Sequence, residues 1–129
     1  MIDHIGMPVG NYEASKAFYK KALAPLGITL VMEVTPEMTG GEDSACGFGS
    51  GQKPFFWIAP GKRMEEHIHV AFIAKDRKQV DAFYKAALAA GGRDNGAPAL
   101  RPHYHKDYYG AFVLDLDGHN IEAVCHKPE

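Results

Sequence analysis

His4 and His69 hold matching places in a chain that repeats itself, and the sequence reads alike around both. Two imidazoles at equivalent places on equivalent strands, facing one point, suit a divalent metal ion. A third donor is expected from another strand facing that point. Glu122 stands in Asn120-Ile121-Glu122-Ala123-Val124-Cys125, where an acid is costly to bury unless it is paired or metal-bound. The offset that carries His4 to His69, taken backwards from Glu122, gives Trp57, which cannot bind a metal. The expected set is therefore two histidines and one carboxylate, leaving coordination positions open for water or a chelating substrate. Taken singly, a strand histidine is ordinarily a hydrogen-bonded core residue, and Glu122 alone would pair with a surface lysine. The repeat relation between the two histidines is what favours ligation.

The repeat extends well beyond the histidines. Ala17-Phe18-Tyr19-Lys20 matches Ala82-Phe83-Tyr84-Lys85, Ala22-Leu23-Ala24 matches Ala87-Leu88-Ala89, and Gly27 matches Gly92. These and the histidines make nine identities between His4 and Gly27 without a gap, where composition alone gives roughly one or two. Two elements must then position each histidine. Ile2 to Val9 reads as a strand, followed by a helix capped at Asn11, with Ala14, Phe18, Ala22 and Leu26 at helical spacing and Gly27 at its end. In the second half, His67 to Ala74 reads as a strand, and Asp76 with Gln79 forms a capping box for a helix to Ala90. Three strands are expected after each helix: Thr29 to Val34, Ala45 to Gly49 and Pro54 to Ala59, then Arg93 to Gly96, Tyr109 to Asp115 and Asn120 to His126. Met38 to Ser44 and Ala97 to Tyr108 read as irregular. The fold class expected is α+β: two paired βαβββ modules, about residues 1–62 and 66–129, forming a curved mixed sheet around a central cavity.

With those elements in place, the chain resembles the vicinal oxygen chelate superfamily, which holds glyoxalase I, bleomycin- and fosfomycin-resistance proteins and extradiol dioxygenases. The resemblance rests on Ile2-Asp3-His4-Ile5, on Ser15-Lys16-Ala17-Phe18-Tyr19, on His69, and on the stretch Tyr109 to Glu122 with its closing Phe112-Val113-Leu114-Asp115-Leu116-Asp117-Gly118-His119-Asn120-Ile121-Glu122. It implies a divalent metal in the cup, held by His4, His69 and Glu122, and commonly a homodimer. Trp57 departs from the glyoxalase I pattern, in which that place usually holds a second acid that ligates the metal and moves protons. Zinc, nickel, manganese and iron are not distinguished.

Other residues are candidates for the surroundings of the site. The run Arg101 to Tyr109 is dense in polar and aromatic groups and reads as a rim or lid of the cavity or, alternatively, as a solvated loop; His103, His105 and Tyr108 are candidates for proton transfer or substrate contact. Trp57, Phe55 and Phe48 are candidates for an apolar substrate wall, with core packing an equal reading for Phe48 and Phe55. His119 and His126 are expected to be solvated. The functional expectation is a metal-dependent enzyme acting on a small substrate with vicinal oxygens, by glyoxalase-like lyase or isomerase chemistry or by dioxygenase chemistry. The alternative is a metal-free binding protein of the bleomycin-resistance type.

Composition limits the partners. The chain has 129 residues, 14 Lys and Arg against 16 Asp and Glu, and 46% hydrophobic residues. That balance fits a globular domain and gives no basic excess for nucleic acid. No apolar run approaches the roughly 18 residues of a membrane span. Two cysteines without Cys-x-x-Cys spacing and an amino terminus without a secretory pattern lead to the expectation of a cytoplasmic protein with reduced thiols.

Overall fold

The computed structural model describes residues 1–41 and 43–129. Glu42, within the stretch expected to be irregular, lies outside the described residues. In chain order the elements are β1 (Ile5–Val9), α1 (Tyr12–Leu23), β2 (Thr29–Val34), α2 (Pro36–Thr39), β3 (Ala45–Gly49), β4 (Phe56–Pro60), β5 (His69–Ile73), α3 (Arg77–Ala89), β6 (Arg93–Leu100), β7 (Tyr109–Leu114) and β8 (Asn120–Cys125). They form two four-stranded mixed sheets, ordered β1-β4-β3-β2 and β5-β8-β7-β6. This is the paired βαβββ architecture that the repeat predicts.

The helices begin where their caps require. The Asn11 side chain accepts from the Ala14 amide, and that of Asp76 accepts from the Gln79 amide, so each satisfies an otherwise orphaned donor. Gln79 reaches back to accept from the Lys75 amide. α1 buries Phe18, Tyr19, Ala22 and Leu23, and α3 buries Val80, Phe83 and Ala87, so each covers one face of its sheet. A 3-10 turn over Ala24–Leu26 follows α1, and Gly27 closes it in the left-handed region at φ 75°.

The two halves keep one register through three of their four strands. Ile5 pairs with Phe56 and Val70 with Ile121; Gly47 pairs with Trp57 and Phe112 with Glu122. Each pair in the first half reappears in the second at the offset that relates His4 to His69. The register slips only at the outer strands β2 and β6, where bulges interrupt the ladders.

Several boundaries differ from the sequence expectations. β1 starts at Ile5 and β5 at His69, so His4 and His67 precede their strands. β6 runs on to Leu100, because Ala99 and Leu100 regain partners in Gly110 and Tyr109 after the bulge at Gly96. Thr35 caps the short helix α2 by accepting from the Met38 amide, in a stretch expected to be irregular.

The modules meet through their helices, α1 packing on α3. Aromatic rings continue the core across the join. Tyr19 meets Phe56 and Phe56 meets Phe72, each edge-on, with centroids 5.0 and 5.2 Å apart. A polar tie reinforces it. Asp115 accepts from the Tyr19 hydroxyl at 2.5 Å through one oxygen and from the Asp117 and His119 amides through the other. Asp117 in turn accepts from the Gly10 amide, and Arg63 donates to the Asp117 carbonyl. The Asp115-Leu116-Asp117-Gly118 turn therefore fastens the second module to the first. His119, expected to be solvated, is 0% exposed; its Nδ1 accepts from the Ile68 amide.

Candidate functional site

The sheet face turned away from the helices carries the chemistry. On the second module, Ala71, Glu122 and Phe112 lie side by side across β5, β8 and β7, and His69 shares the face of Ala71 one pleat along. His69 Nε2 lies 2.7 Å from Glu122 Oε1. The Tyr108 hydroxyl donates to Glu122 Oε2. Glu122 is 0% exposed, and these two groups are the partners that compensate its burial. Burial first, then the bond to Glu122, pushes the Tyr108 phenol well above its ordinary pKa, so it stays protonated as a donor. Gly110 makes the room: a Cβ there would come 3.1 Å from the Tyr108 ring and 3.2 Å from Glu122 Oε2.

On the first module the same register places Trp57 between Gly6 and Gly47. A Cβ on Gly47 would lie 2.9 and 3.0 Å from indole carbons, so the ring lies across β3 where only glycine admits it. Large and small residues are exchanged between the modules: Gly47 faces Trp57 where Phe112 faces Glu122.

Of the metal ligands expected, the fold brings His69 and Glu122 together. His4 lies apart from them: its Nδ1 is 2.7 Å from Asp3 Oδ1, and its side chain is exposed. Among the described residues, no group of three His, Cys, Asp or Glu side chains converges within one chain. Lys53, and after it His4, hold the Asp3 carboxyl below its usual range.

The loop expected to form a rim divides. Tyr108 reaches the Glu122 carboxylate. His103 is exposed and packs on Tyr104, with centroids 4.1 Å apart. His105 Nδ1 accepts from the Asp107 amide, and its ring lies 5.6 Å from that of His126. His126 also packs edge-on against Tyr108 at 5.1 Å, a contact its terminal position gave no sign of.

The apolar wall expected from Trp57, Phe55 and Phe48 is not formed as one surface. Phe48 is buried on the helix side among Tyr19 and Phe56, because β3 alternates and Gly47 takes the site face. Phe55 lines a different cavity of about 700 Å³ that opens between the modules, with Ile5, Leu26, Val70 and Phe72 around it. Trp57 alone remains on the site face. Arg101 and Phe112, which the sequence does not single out as site residues, also lie there. The Arg101 guanidinium carbon lies 4.8 Å from the Phe112 ring centroid, and Phe112 lies 6.0 Å from the His69 ring. Arginine at the head of an aromatic-rich loop was the available signal. Both cysteines are buried and unbridged, and no helix of the described residues is long and apolar enough to cross a membrane.

Comparison with known proteins agrees with this architecture. A glyoxalase/bleomycin resistance protein from Albidiferax ferrireducens superposes with a TM-score of 0.73 at 26% identity, covering 95% of this chain and 96% of that one. A variant of the fosfomycin resistance protein FosX from Listeria monocytogenes, complexed with Mn(II) and 1S,2S-dihydroxypropylphosphonic acid, gives 0.68 at 17% identity, over 96% of this chain and 88% of that one. A glyoxalase I variant from Zea mays gives 0.71 at 21% identity; the match covers 95% of this chain and 46% of that longer one. A comparison with curated protein sequences gives no significant match. The family model for the glyoxalase/bleomycin resistance protein/dioxygenase superfamily matches residues 1–123, and the chain belongs to that superfamily.

Proposed function

We propose that the protein is a divalent-metal-dependent enzyme acting on a small substrate with vicinal oxygen atoms, and that His69 and Glu122 are two of its metal ligands. The observation that carries this is the 2.7 Å approach of His69 Nε2 to Glu122 Oε1 at an otherwise buried carboxylate. Two such donors side by side, one nitrogen and one oxygen, fit the coordination edge of zinc, manganese, iron or nickel. The FosX relative, which holds Mn(II), supports the reading by analogy of fold.

His4 completes the set from a second copy of the chain. In one copy, helix-to-helix packing joins the modules, and the site face of β5 is left open: His69, Ala71 and Ile73 are all exposed, Ile73 at 77%. A homodimer that sets the first module of one copy against the second module of the other covers that face. It also brings His4 and Trp57 toward His69 and Glu122.

A divalent ion bound there supplies Lewis acidity to an oxyanion developing on the substrate. The chain's own groups do the rest. Tyr108 holds the second oxygen of Glu122 and carries a proton beside the site. Trp57 and Phe112 exclude water from the bound substrate and favour a flat or apolar one. Lyase or isomerase chemistry and dioxygenase chemistry both use such an arrangement.

Metal analysis of protein purified without added metal tests the proposal. Near-stoichiometric metal, lost in His69→Ala, is the expected result. A second reading follows from Trp57 standing where a carboxylate would complete the site: a metal-free protein that sequesters aromatic compounds. Metal-free protein whose Trp57 fluorescence is quenched by an aromatic ligand would favour it over the enzyme.

A further inference from the structure

We propose that Arg101 is an anion-binding residue of this site, and that the substrate carries an oxyanion group, a carboxylate or its equivalent, beside its chelating oxygens. This deepens the metal-site reading and rests on it.

Arg101 closes the loop before β7: its amide donates to the Tyr108 carbonyl at 2.7 Å, and its carbonyl accepts from the Tyr104 amide. The side chain then lies over Phe112, whose neighbour across the ladder is Glu122. Gly96 gives it space, since a Cβ there would come 3.1 Å from Arg101 Nη2 and 3.0 Å from the Phe112 ring. The guanidinium thus lies on the face that carries His69 and Glu122.

The polar partners of Arg101 are few. Nη2 donates to the Ala97 carbonyl at 2.8 Å, while Nε is shielded from solvent and bonds nothing among the described residues. No carboxylate of the described residues forms an ion pair with it. Nη1 bonds nothing among the described residues, so Nη1 and the second hydrogen of Nη2 are left to meet an oxyanion from a guanidinium held over an aromatic ring. Charge points the same way. A divalent ion and one guanidinium face a single carboxylate in this half of the site, so a neutral chelator would leave positive charge unmatched. An anionic one matches it.

Calorimetric titration of Mn(II)-loaded protein with catechol, 2,3-dihydroxybenzoate and 3,4-dihydroxybenzoate tests this. The three probes share vicinal oxygens and a flat ring, and the last two add a carboxylate in different places. At least one benzoate is expected to bind roughly ten- to a hundredfold more tightly than catechol, the span of one charge-assisted hydrogen bond. Arg101→Gln should bring that ratio to about one while leaving Mn(II) and catechol affinities unchanged, which also shows that the variant is folded. Arg101→Lys should retain part of the preference. Equal binding of all three probes to the unaltered protein overturns the proposal, as does an equal loss for catechol and benzoates in Arg101→Gln. If the protein takes up no Mn(II), the metal reading fails, and the same titrations on metal-free protein decide the matter. An Arg101-dependent preference for a benzoate then sustains the anion site, and its absence overturns it.

Discussion

Trp57 and Glu122 occupy one position in two copies of the same module. Trp57 pairs with Gly6 and Gly47, and Glu122 pairs with their repeat equivalents, Ala71 and Phe112. Duplication supplied two equivalent places, and the chain has made one a carboxylate and the other a platform. The proposed site is therefore unequal: its acid comes from one module, and the facing module brings an indole and a histidine.

If His4 meets His69 and Glu122 only between copies, ligand-deficient variants should complement one another. His4→Ala and His69→Ala homodimers should each bind metal poorly. After subunit exchange, each mixed dimer retains one complete site, formed by His4 of the His69→Ala chain and His69 of the His4→Ala chain. Metal analysis of the mixture should show recovery toward one ion per mixed dimer. No recovery, with mixed dimers demonstrated, would place all three ligands in one chain.

Tyr108→Phe removes the hydrogen bond that orients Glu122 and leaves that buried oxygen without its partner. Loss of an outer partner of a metal ligand typically costs roughly 10- to 100-fold in affinity. A fall of that order is expected in competitive titration with a chelating dye. Wild-type affinity in Tyr108→Phe would remove Tyr108 from the site.

Gly47→Ala places a Cβ 2.7 Å from Pro54 Cβ and 2.9 Å from the indole. The ring must move or the sheet must yield, at a cost of about 1–3 kcal/mol for overpacking. Because Trp57 is the single tryptophan, the emission maximum should shift along with the urea midpoint. An unshifted spectrum at unchanged stability would show that the indole does not lie across β3.

The tie between Tyr19 and Asp115 makes a stability prediction with a pH signature. Tyr19→Phe leaves a buried carboxylate one donor short, and about 1.5–3 kcal/mol should be lost at neutral pH. Burial first, then the charge of Asp115, raises the Tyr19 phenol well above its ordinary 10.0. Folding therefore holds that proton more tightly than the unfolded chain does. The associated stability is intact below about pH 10 and is lost as pH rises above it, by about 1.4 kcal/mol per pH unit for one group. Tyr109, pushed up to about 12 by burial and by Asp81, titrates in the same direction. Denaturant unfolding between about pH 8 and pH 11 should show the decline, less steep in Tyr19→Phe.

Much of this was legible in the sequence because the repeat is gapless. One constant offset carries His4 to His69 and, reversed, Glu122 to Trp57; the strand pairings keep that spacing. Caps at Asn11 and Asp76 fixed the helix starts for local reasons. What escaped depended on long-range packing. Phe48 lies between two glycines in sequence, and which face of β3 it takes is set by Gly47 pairing with Trp57. His119 reads as a turn residue, but Ile68 from the approach to another strand claims its ring nitrogen. Arg101 heads an aromatic-rich loop in sequence, but only the pairing of β6 with β7 brings it over Phe112.

The Asp115 turn has no twin. The positions equivalent to Asp115, Asp117 and His119 are Ser50, Gln52 and Pro54, and the repeat partner of Tyr19, Tyr84, donates instead to Asp94 at the surface. The clasp is thus present in one half only. Expressed alone, the amino-terminal half would present Tyr19 without the acceptor that anchors it, and the carboxy-terminal half would bury Asp115 without that phenol. Each half thus draws on its sibling to satisfy a polar group in its own interior.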